Sequence, residues 1–403
     1  MELQMALPKR MVVAIDPLEA IAARDAAAGD ESGEVRLTAP LRGALEWAAL
    51  LGAVTGADLK LVSAVPEPVS LFPFLSEPLV QREALYEDTR RVLQWVRDLL
   101  QAGLGRRPAS IETAAVLRPV ADALIEQAGS SEAELIVLGA RPLSPAERWL
   151  FGGTSLRLVR RATVPVLLAR ASDKLRIWPP ANERTTAEGS RPVEEPAGGE
   201  LPQPPGSAVV SERSALGGAS ASSAPTGASV DAPAGQTTAA ATGEDPAGGE
   251  THPLRFLVGV DFSESSISGL HQAIELAQAV DAEVIVLHSL SPPRSETLHL
   301  VSTAFHPDQV VREAQDAALQ RLHALLDQTD HRAVVRGVRP EIRVGRPEIV
   351  LSECVRQESV DLVVLGAGDA THLQRFVLGS TVERLLPHLP CSVWIARPGR
   401  SAT

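Results

Sequence analysis

The chain has 403 residues, 44% of them hydrophobic and 22% charged, with a formal net charge of −12. That length argues for two or three domains, the composition for ordinary globular protein, and the acidic balance against a broad nucleic-acid-binding surface. About half of the net charge falls in one central segment, residues 171–252, so the flanking parts are only mildly acidic.

The elements follow in chain order. Met11–Ile15 is a short β-branched run that ends at Asp16, and a loop rich in Ala, Asp, Glu and Gly is expected from there to about Arg36. Leu41, Leu45, Ala48 and Gly52 then fall on one helical face. Leu59–Val65 reads as a strand, Leu85, Val92, Val96 and Leu99 mark a longer helix, Ile111–Leu117 is a strand and Val120–Ala128 a helix. Residues 134–170 close this first domain, which spans about 9–170, with an apolar strand, a Gly-bearing loop, a helix and a last apolar strand.

Residues 361–397 repeat residues 134–170 without a gap, and roughly a third of the positions are identical. A spacing this long exceeds the roughly 20–50 residues of a solenoid repeat, so it marks two domains of one fold. The second domain, about 253–400, runs in the same order. Phe256–Val260 ends at Asp261, and Ser263 is placed to cap a helix carrying Ile267, Leu270, Ile274 and Ala277. Glu283–Ser289 is a strand, Val310, Ala314, Ala317 and Leu322 belong to a helix, Ile342–Val344 is a short strand and Glu348–Gln357 a helix. The alternation of strand and helix predicts an α/β fold, a doubly wound parallel sheet in each half. Residues 171–252, built from Ala, Gly, Pro, Ser, Thr and Glu, lack core-forming side chains and read as a disordered linker.

Several classes of chemistry find no support. No run approaches the roughly 18 apolar residues of a membrane span. Asp16 interrupts the first apolar run, which therefore does not read as a signal peptide. Cys354 and Cys391 form neither a CxxC pair nor a disulfide framework and read as small buried apolar side chains in a reducing, cytoplasmic setting. The histidines lie at no metal-ligand spacing, and neither GxSxG nor GxxxxGK[ST] occurs. No catalytic residue is assigned.

Open α/β sheets bind ligands outside the carboxyl ends of their strands. Three features converge there in each half: the Asp ending the first strand (Asp16, Asp261), the Gly ending the fourth (Gly139, Gly366), and a helix start rich in Gly and hydroxyl residues (Gly152 to Thr154, Gly379-Ser380-Thr381). Such a helix start presents free N–H groups and the positive end of its dipole to an anion. The alternative is that the glycines serve only the tight turns of the fold. Arg148 and Arg375, equivalent in the repeat, read as solvated side chains just before the helix.

The pattern Gly-x2-Gly-x9-Gly-Ser/Thr after a fourth strand, with Asp ending the first, resembles the universal stress protein superfamily, and the chain is similar to a tandem member of it. The resemblance implies Rossmann-like, adenine-nucleotide α-hydrolase-like domains. It implies that Asp261, Gly366, Gly368, Gly379, Ser380 and Thr381 hold ATP or a related adenine nucleotide, with Mg²⁺ as a possible companion. In the first domain it carries over only Asp16, Gly139, Gly152 and Thr154, a degraded site. The motif's second Gly is Asp369 in one half and Pro142 in the other, and Pro142 offers no N–H. The expectation is therefore a stress-response regulatory or binding module, not an enzyme, with at most one nucleotide per chain. A scaffold that has lost its ligand is the alternative, and an adenine-nucleotide-dependent enzyme a less favoured one. Neither nucleic acid nor membrane is expected as a partner. Family members commonly dimerise through the last strand, so residues 164–169 and 391–396 are expected to pair antiparallel within the chain, covering an edge that would otherwise invite aggregation.

Overall fold

The computed structural model describes residues 7–28, 35–65, 78–103, 110–140, 153–175, 253–291, 307–368 and 378–398. From residue 176 to 252 the segment read as a linker lies outside the described residues, as do Pro142, Arg148, Gly152, Asp369 and Arg375.

The first half contains β1 (Arg10–Ala14), α1 (Pro17–Ala28), α2 (Ala39–Thr55), β2 (Asp58–Ala64), α3 (Pro78–Gly103), β3 (Ile111–Val116), α4 (Val120–Ser130), β4 (Leu135–Gly139), α5 (Gly153–Arg161) and β5 (Val166–Ala169). The second contains β6 (Arg255–Gly259), α6 (Glu264–Val280), β7 (Glu283–Leu290), α7 (Pro307–Leu326), β8 (Val338–Val344), α8 (Pro347–Gln357), β9 (Leu362–Gly366), α9 (Ser380–Leu385) and β10 (Ser392–Ala396).

The ten strands among the described residues form one sheet, in the order β3-β2-β1-β4-β5-β10-β9-β6-β7-β8. Within each half the strands are parallel. The halves meet where β5 and β10 pair antiparallel, with Leu168 opposite Val393, Leu167 opposite Trp394 and Val166 opposite Ile395. The expected pairing of the two last strands is thus present in the fold.

The unbroken apolar runs of the strands follow from burial on both faces. Met11 and Val13 point into one core with α2, α3, α6 and α7, while Val12 and Ala14 point into a second with α4, α5, α8 and α9. Each core draws residues from both halves, so the hydrophobic interior is continuous across the seam. A fully buried Leu, Ile or Val contributes about 1.5–3 kcal/mol relative to exposure. Polar contacts fix the register of the halves. Trp47 Nε1 donates to Ser392 Oγ at 2.9 Å across the seam, while Trp394 Nε1 donates to Gln272 Oε1 at 2.7 Å within the second half. Lys174 Nζ meets Asp361 Oδ2 at 2.9 Å beside a buried Leu175, so residues 171–175, read above as the start of the linker, are instead packed as part of the first half. Arg160 and Glu383 pair at 2.7 Å across the seam.

Two local expectations are corrected. The stretch after Asp16 is not a loop: α1 occupies Pro17–Ala28. Asp16 Oδ1 accepts from the N–H groups of Leu18 and Glu19 at 3.0 and 3.3 Å, which satisfies orphan donors of the first turn. Ala20 and Ala23 are buried, and Arg24 pairs with Asp88 of α3 at 3.0 Å. The helix is hard to see in the sequence because its buried face is made of alanines, which carry almost no hydrophobic contrast. The second correction is β8, which begins at Val338, four residues earlier than expected. It is the outermost strand of its half, and its Arg339, Pro340, Glu341 and Arg343 obscure the apolar pattern, as charged and proline residues do on sheet edges.

Candidate functional site

The carboxyl end of β6 and the start of α6 form the wall of a cleft in the second half. Asp261 follows the strand, and its Oδ1 accepts from the Ser263 N–H at 3.0 Å and from the Ser263 hydroxyl. Ser263 Oγ in turn accepts from the N–H of Ser266 at 3.2 Å, so the serine caps α6 as its sequence position predicts. Ser266 Oγ donates to Ser263 O at 3.0 Å, and Ser265 Oγ lies 3.2 Å from Ser263 Oγ. Partial burial pushes the Asp261 carboxyl up, but the hydrogen bonds from Ser263 and Ser266 outweigh it and hold the group below its ordinary value. Asp261 is therefore an ionised, exposed carboxylate with a fixed orientation.

Phe262, between these residues, has φ +64°, a left-handed conformation unusual for a bulky side chain. Its ring is held by Arg321, whose guanidinium lies 4.1 Å from the ring centroid, and by His288 at 4.7 Å between centroids. His288 Nδ1 lies 2.7 Å from Val260 O. The backbone turn that aims Asp261 is thus clamped by side chains from β7 and α7. Sequence reasoning missed Phe262, Ser265, Ser266 and His288. The hydroxyl run Ser263–Ser266 was the signal that could have pointed to the cap network, whereas nothing in the sequence marks a positive φ at Phe262.

Of the six candidate residues in this half, Asp261, Gly366 and Thr381 line one cleft of about 90 Å³, together with Val260, Ser266, His288, Ser289, Pro347 and Leu351. Gly368, Gly379 and Ser380 do not line it. Gly368 and Gly379 pack on one another just outside, where the Gly379 N–H donates to Ala367 O at 3.0 Å, and Ser380 is exposed at the first turn of α9.

The glycines divide by what requires them. A Cβ on Gly366 would lie 2.6 Å from Ser266 N, and one on Gly139 would lie 2.3 Å from Pro40 O. Both are therefore demanded by the close crossing of a strand end and a helix start. Gly368 has φ +92°, which favours glycine by itself. Gly379 differs: it has φ −57° and ψ 138°, and a Cβ there would come no closer than 3.7 Å to any described atom. The described residues do not require glycine at that position.

In the first half the equivalent positions are arranged otherwise. Asp16 is turned to the cap of α1. The start of α2 carries Thr38, Ala39 and Pro40 in place of a serine cluster, and Thr38 Oγ1 donates to Glu19 Oε2 at 2.8 Å instead of capping α2. Thr154 lies in the first turn of α5, after Gly153. The two thiols are inert: burial pushes Cys354 up to about 11 and Cys391 up to about 12. Among the described residues no group of three or more His, Cys, Asp or Glu side chains could hold a metal ion, and no helix is long and apolar enough to cross a membrane.

Comparison with known proteins gives one result at three levels. The family model described as the universal stress protein family matches residues 39–170 and 254–397. Universal stress protein YxiE of Bacillus subtilis is 25% identical over 145 residues, 36% of this chain and 98% of that protein. Universal stress protein MJ0531 of Methanocaldococcus jannaschii is 24% identical over 155 residues, 37% of this chain and 85% of that protein. A solved universal stress protein from Archaeoglobus fulgidus shares the fold over 99% of both chains, with a TM-score of 0.53 at 12% identity.

Proposed function

Because the chain belongs to the universal stress protein family in both of its halves, we propose that it is a regulatory binding module that takes one adenine nucleotide per chain, in its second half. Gly379 carries this reading. It is a glycine that neither backbone conformation nor packing among the described residues demands, at the start of the helix whose Thr381 lines the cleft with Asp261. Close approach of a ligand to the backbone is one physical reason for a missing Cβ at such a position. Asp261 would accept from an exocyclic amine or a ribose hydroxyl, and Gly379, Ser380 and Thr381 would meet the phosphates. The cleft of about 90 Å³ has room for one end of such a ligand, since small-molecule sites usually enclose about 300 Å³ or more. Mg²⁺ would offset the repulsion between a triphosphate and Asp369. In the first half Pro142, which offers no N–H, stands at the motif's second Gly, and the start of α2 has no serine cluster, so that half serves as the pairing partner. The module acts by binding, not by catalysis, and the two free, buried thiols suit the cytoplasm.

Titration calorimetry of the full chain with ATP and Mg²⁺ tests the proposal. One site per chain is expected, weakened by Asp261→Asn. Loss of one charge-assisted hydrogen bond, worth about 1.5–3 kcal/mol, is expected for Ser380→Ala. No heat at millimolar ATP would leave the second reading, a scaffold of the same fold. That reading is supported by Gly139 and Gly366, whose need for glycine is met entirely by packing.

A further inference from the structure

The outer side of each half carries a groove between the helix that precedes its fourth strand and the helix that follows it. The two grooves occupy equivalent positions in the repeat and differ in charge. In the first half the groove between α4 and α5, about 490 Å³, is lined by Arg118, Asp122, Glu126 and Arg161 among others. Each arginine there has its own acid: Arg118 pairs with Glu126 at 3.0 Å, and Arg161 with Asp122. The groove is electrically balanced.

In the second half the groove between α8 and α9, about 660 Å³, is lined by Arg170, Arg346, Arg356, Arg384, His388 and a single acid, Glu348. The repeat shows how the balance was changed. Ile349 stands where Asp122 stands in the first half, Arg346 replaces Pro119, and Arg356 replaces Gly129. Glu348 is shared by Arg346 and by Arg384, the latter at 3.3 Å. Its carboxyl is held below the ordinary value, first by its own backbone N–H and then by these two arginines, so it remains a carboxylate. Arg356 and Arg170 have no acidic partner among the described residues. Arg170 is the more telling of the two. It enters from the end of β5, in the other half, and is partly buried, which pulls its guanidinium below the ordinary value. Its counterpart in the repeat, Arg397, donates through Nη2 to Val159 O at 2.6 Å, whereas the Arg170 guanidinium has no acceptor among the described residues. Arg170 is only half-buried and lines the groove, so its guanidinium is open to an anion there.

We propose that the groove between α8 and α9, lined also by Arg170 from the opposite half, is a binding site for a small oligophosphate anion. Guanidinium groups form forked, charge-assisted bonds that suit phosphate oxygens. Phe, Tyr and Trp are absent from the residues that line the groove, and four arginines are present, so recognition rests on charge more than on stacking with a base. The volume exceeds what a single phosphate needs, which favours a linked anion with several charges. The site is separate from the cleft at Asp261 and is independent of the nucleotide reading.

Inorganic pyrophosphate, titrated calorimetrically into the full chain without nucleotide, is the test. One site per chain is expected, with binding that weakens as salt is raised. The double variant Arg356→Glu with Arg384→Glu is expected to weaken binding at least about tenfold through lost charge-assisted contacts. Both side chains are exposed, and an unchanged melting curve would show that the fold survives. Arg118→Glu in the balanced groove, and Asp261→Asn in the nucleotide cleft, are expected to leave pyrophosphate binding as it was. The proposal is overturned by the absence of heat at millimolar pyrophosphate, by equal affinity in the double variant, or by loss of binding in Asp261→Asn. It is also overturned if citrate, a carboxylate anion of similar charge, binds equally well.

Discussion

In the first half Asp16 spends its carboxylate on the N–H groups of Leu18 and Glu19, and a helix follows at once. In the second half Asp261 is held by Ser263 at the mouth of a cleft, and no helix stands between it and α6. The grooves on the outer side repeat the contrast, since one is balanced pair by pair and the other carries four arginines and one acid. Strand order and core packing are shared, so the differences arise from residues the fold does not need. Duplication preserved the scaffold and left its polar ends free to diverge.

Perturbing matched positions in the two halves breaks or sharpens this comparison. The largest effect is expected at the seam. Trp47 and Trp394 are both buried, and each donates its indole N–H across or beside the join. Replacing either with alanine should cost about 3–5 kcal/mol in chemical denaturation. Because the cores are continuous, unfolding should remain a single transition in both variants. Two separated transitions would show that the halves are independent and that the comparison describes neighbours instead of one body.

Gly139→Ala and Gly366→Ala come next. Each adds a methyl against backbone, at 2.3 Å from Pro40 O and 2.6 Å from Ser266 N. Both should lose about 1–3 kcal/mol, whatever they do to ligand binding. A neutral Gly366→Ala would mean that its glycine serves something other than packing. Helix caps should separate the halves more gently. Ser263→Ala should cost about 1 kcal/mol because its Oγ accepts from Ser266 N. Thr38→Ala should cost less, since Thr38 makes no side-chain cap bond to α2.

Glu275 on α6 provides a pH test. Burial pushes its carboxyl from 4.5 up to about 7 in the folded state. The folded value lies above the unfolded one, so the folded state favours the protonated form. The associated stability is present below about pH 4.5 and is lost as pH rises through about 7. Glu275→Gln should therefore be nearly neutral in acid and stabilising at pH 8, by about 1 kcal/mol once partial exposure is discounted. Melting curves at the two pH values decide it. The smallest effect on stability is expected at Gly379→Ala, within about 0.5 kcal/mol, because a Cβ meets nothing closer than 3.7 Å among the described residues. Nucleotide affinity is the property it should lower.

Much of the scaffold was legible because strands such as Met11–Ala14 and Leu362–Gly366 are buried on both faces and therefore uniformly apolar. The repeat then assigned the same order to both halves, and the paired last strands followed from the need to cover an apolar edge. The alanine face of α1 and the charged edge strand β8 escaped for the opposite reason, since neither shows hydrophobic contrast. At the candidate site Asp261 and the Ser263 cap are readable from local spacing, whereas nothing in the sequence shows that Gly366, which lines the cleft, is also required by the crossing of β9 and α6. The arginine groove could not be read locally. Its residues come from α8, from α9 and the turn after it, and from the end of β5 in the other half, more than 170 residues away in the chain from the nearest of them.

The antiparallel join of β5 with β10 has a further consequence for inheritance. In a symmetric dimer of identical chains, any substitution is written twice, and a change that helps one side of the axis is imposed on the other. Here the two sides are encoded separately, so the same structural position can hold Arg397 against a carbonyl on one side and Arg170 in a groove on the other. A tethered pair can thus acquire a feature of which each molecule has a single copy, and the second copy of the fold keeps the seam intact while it does so.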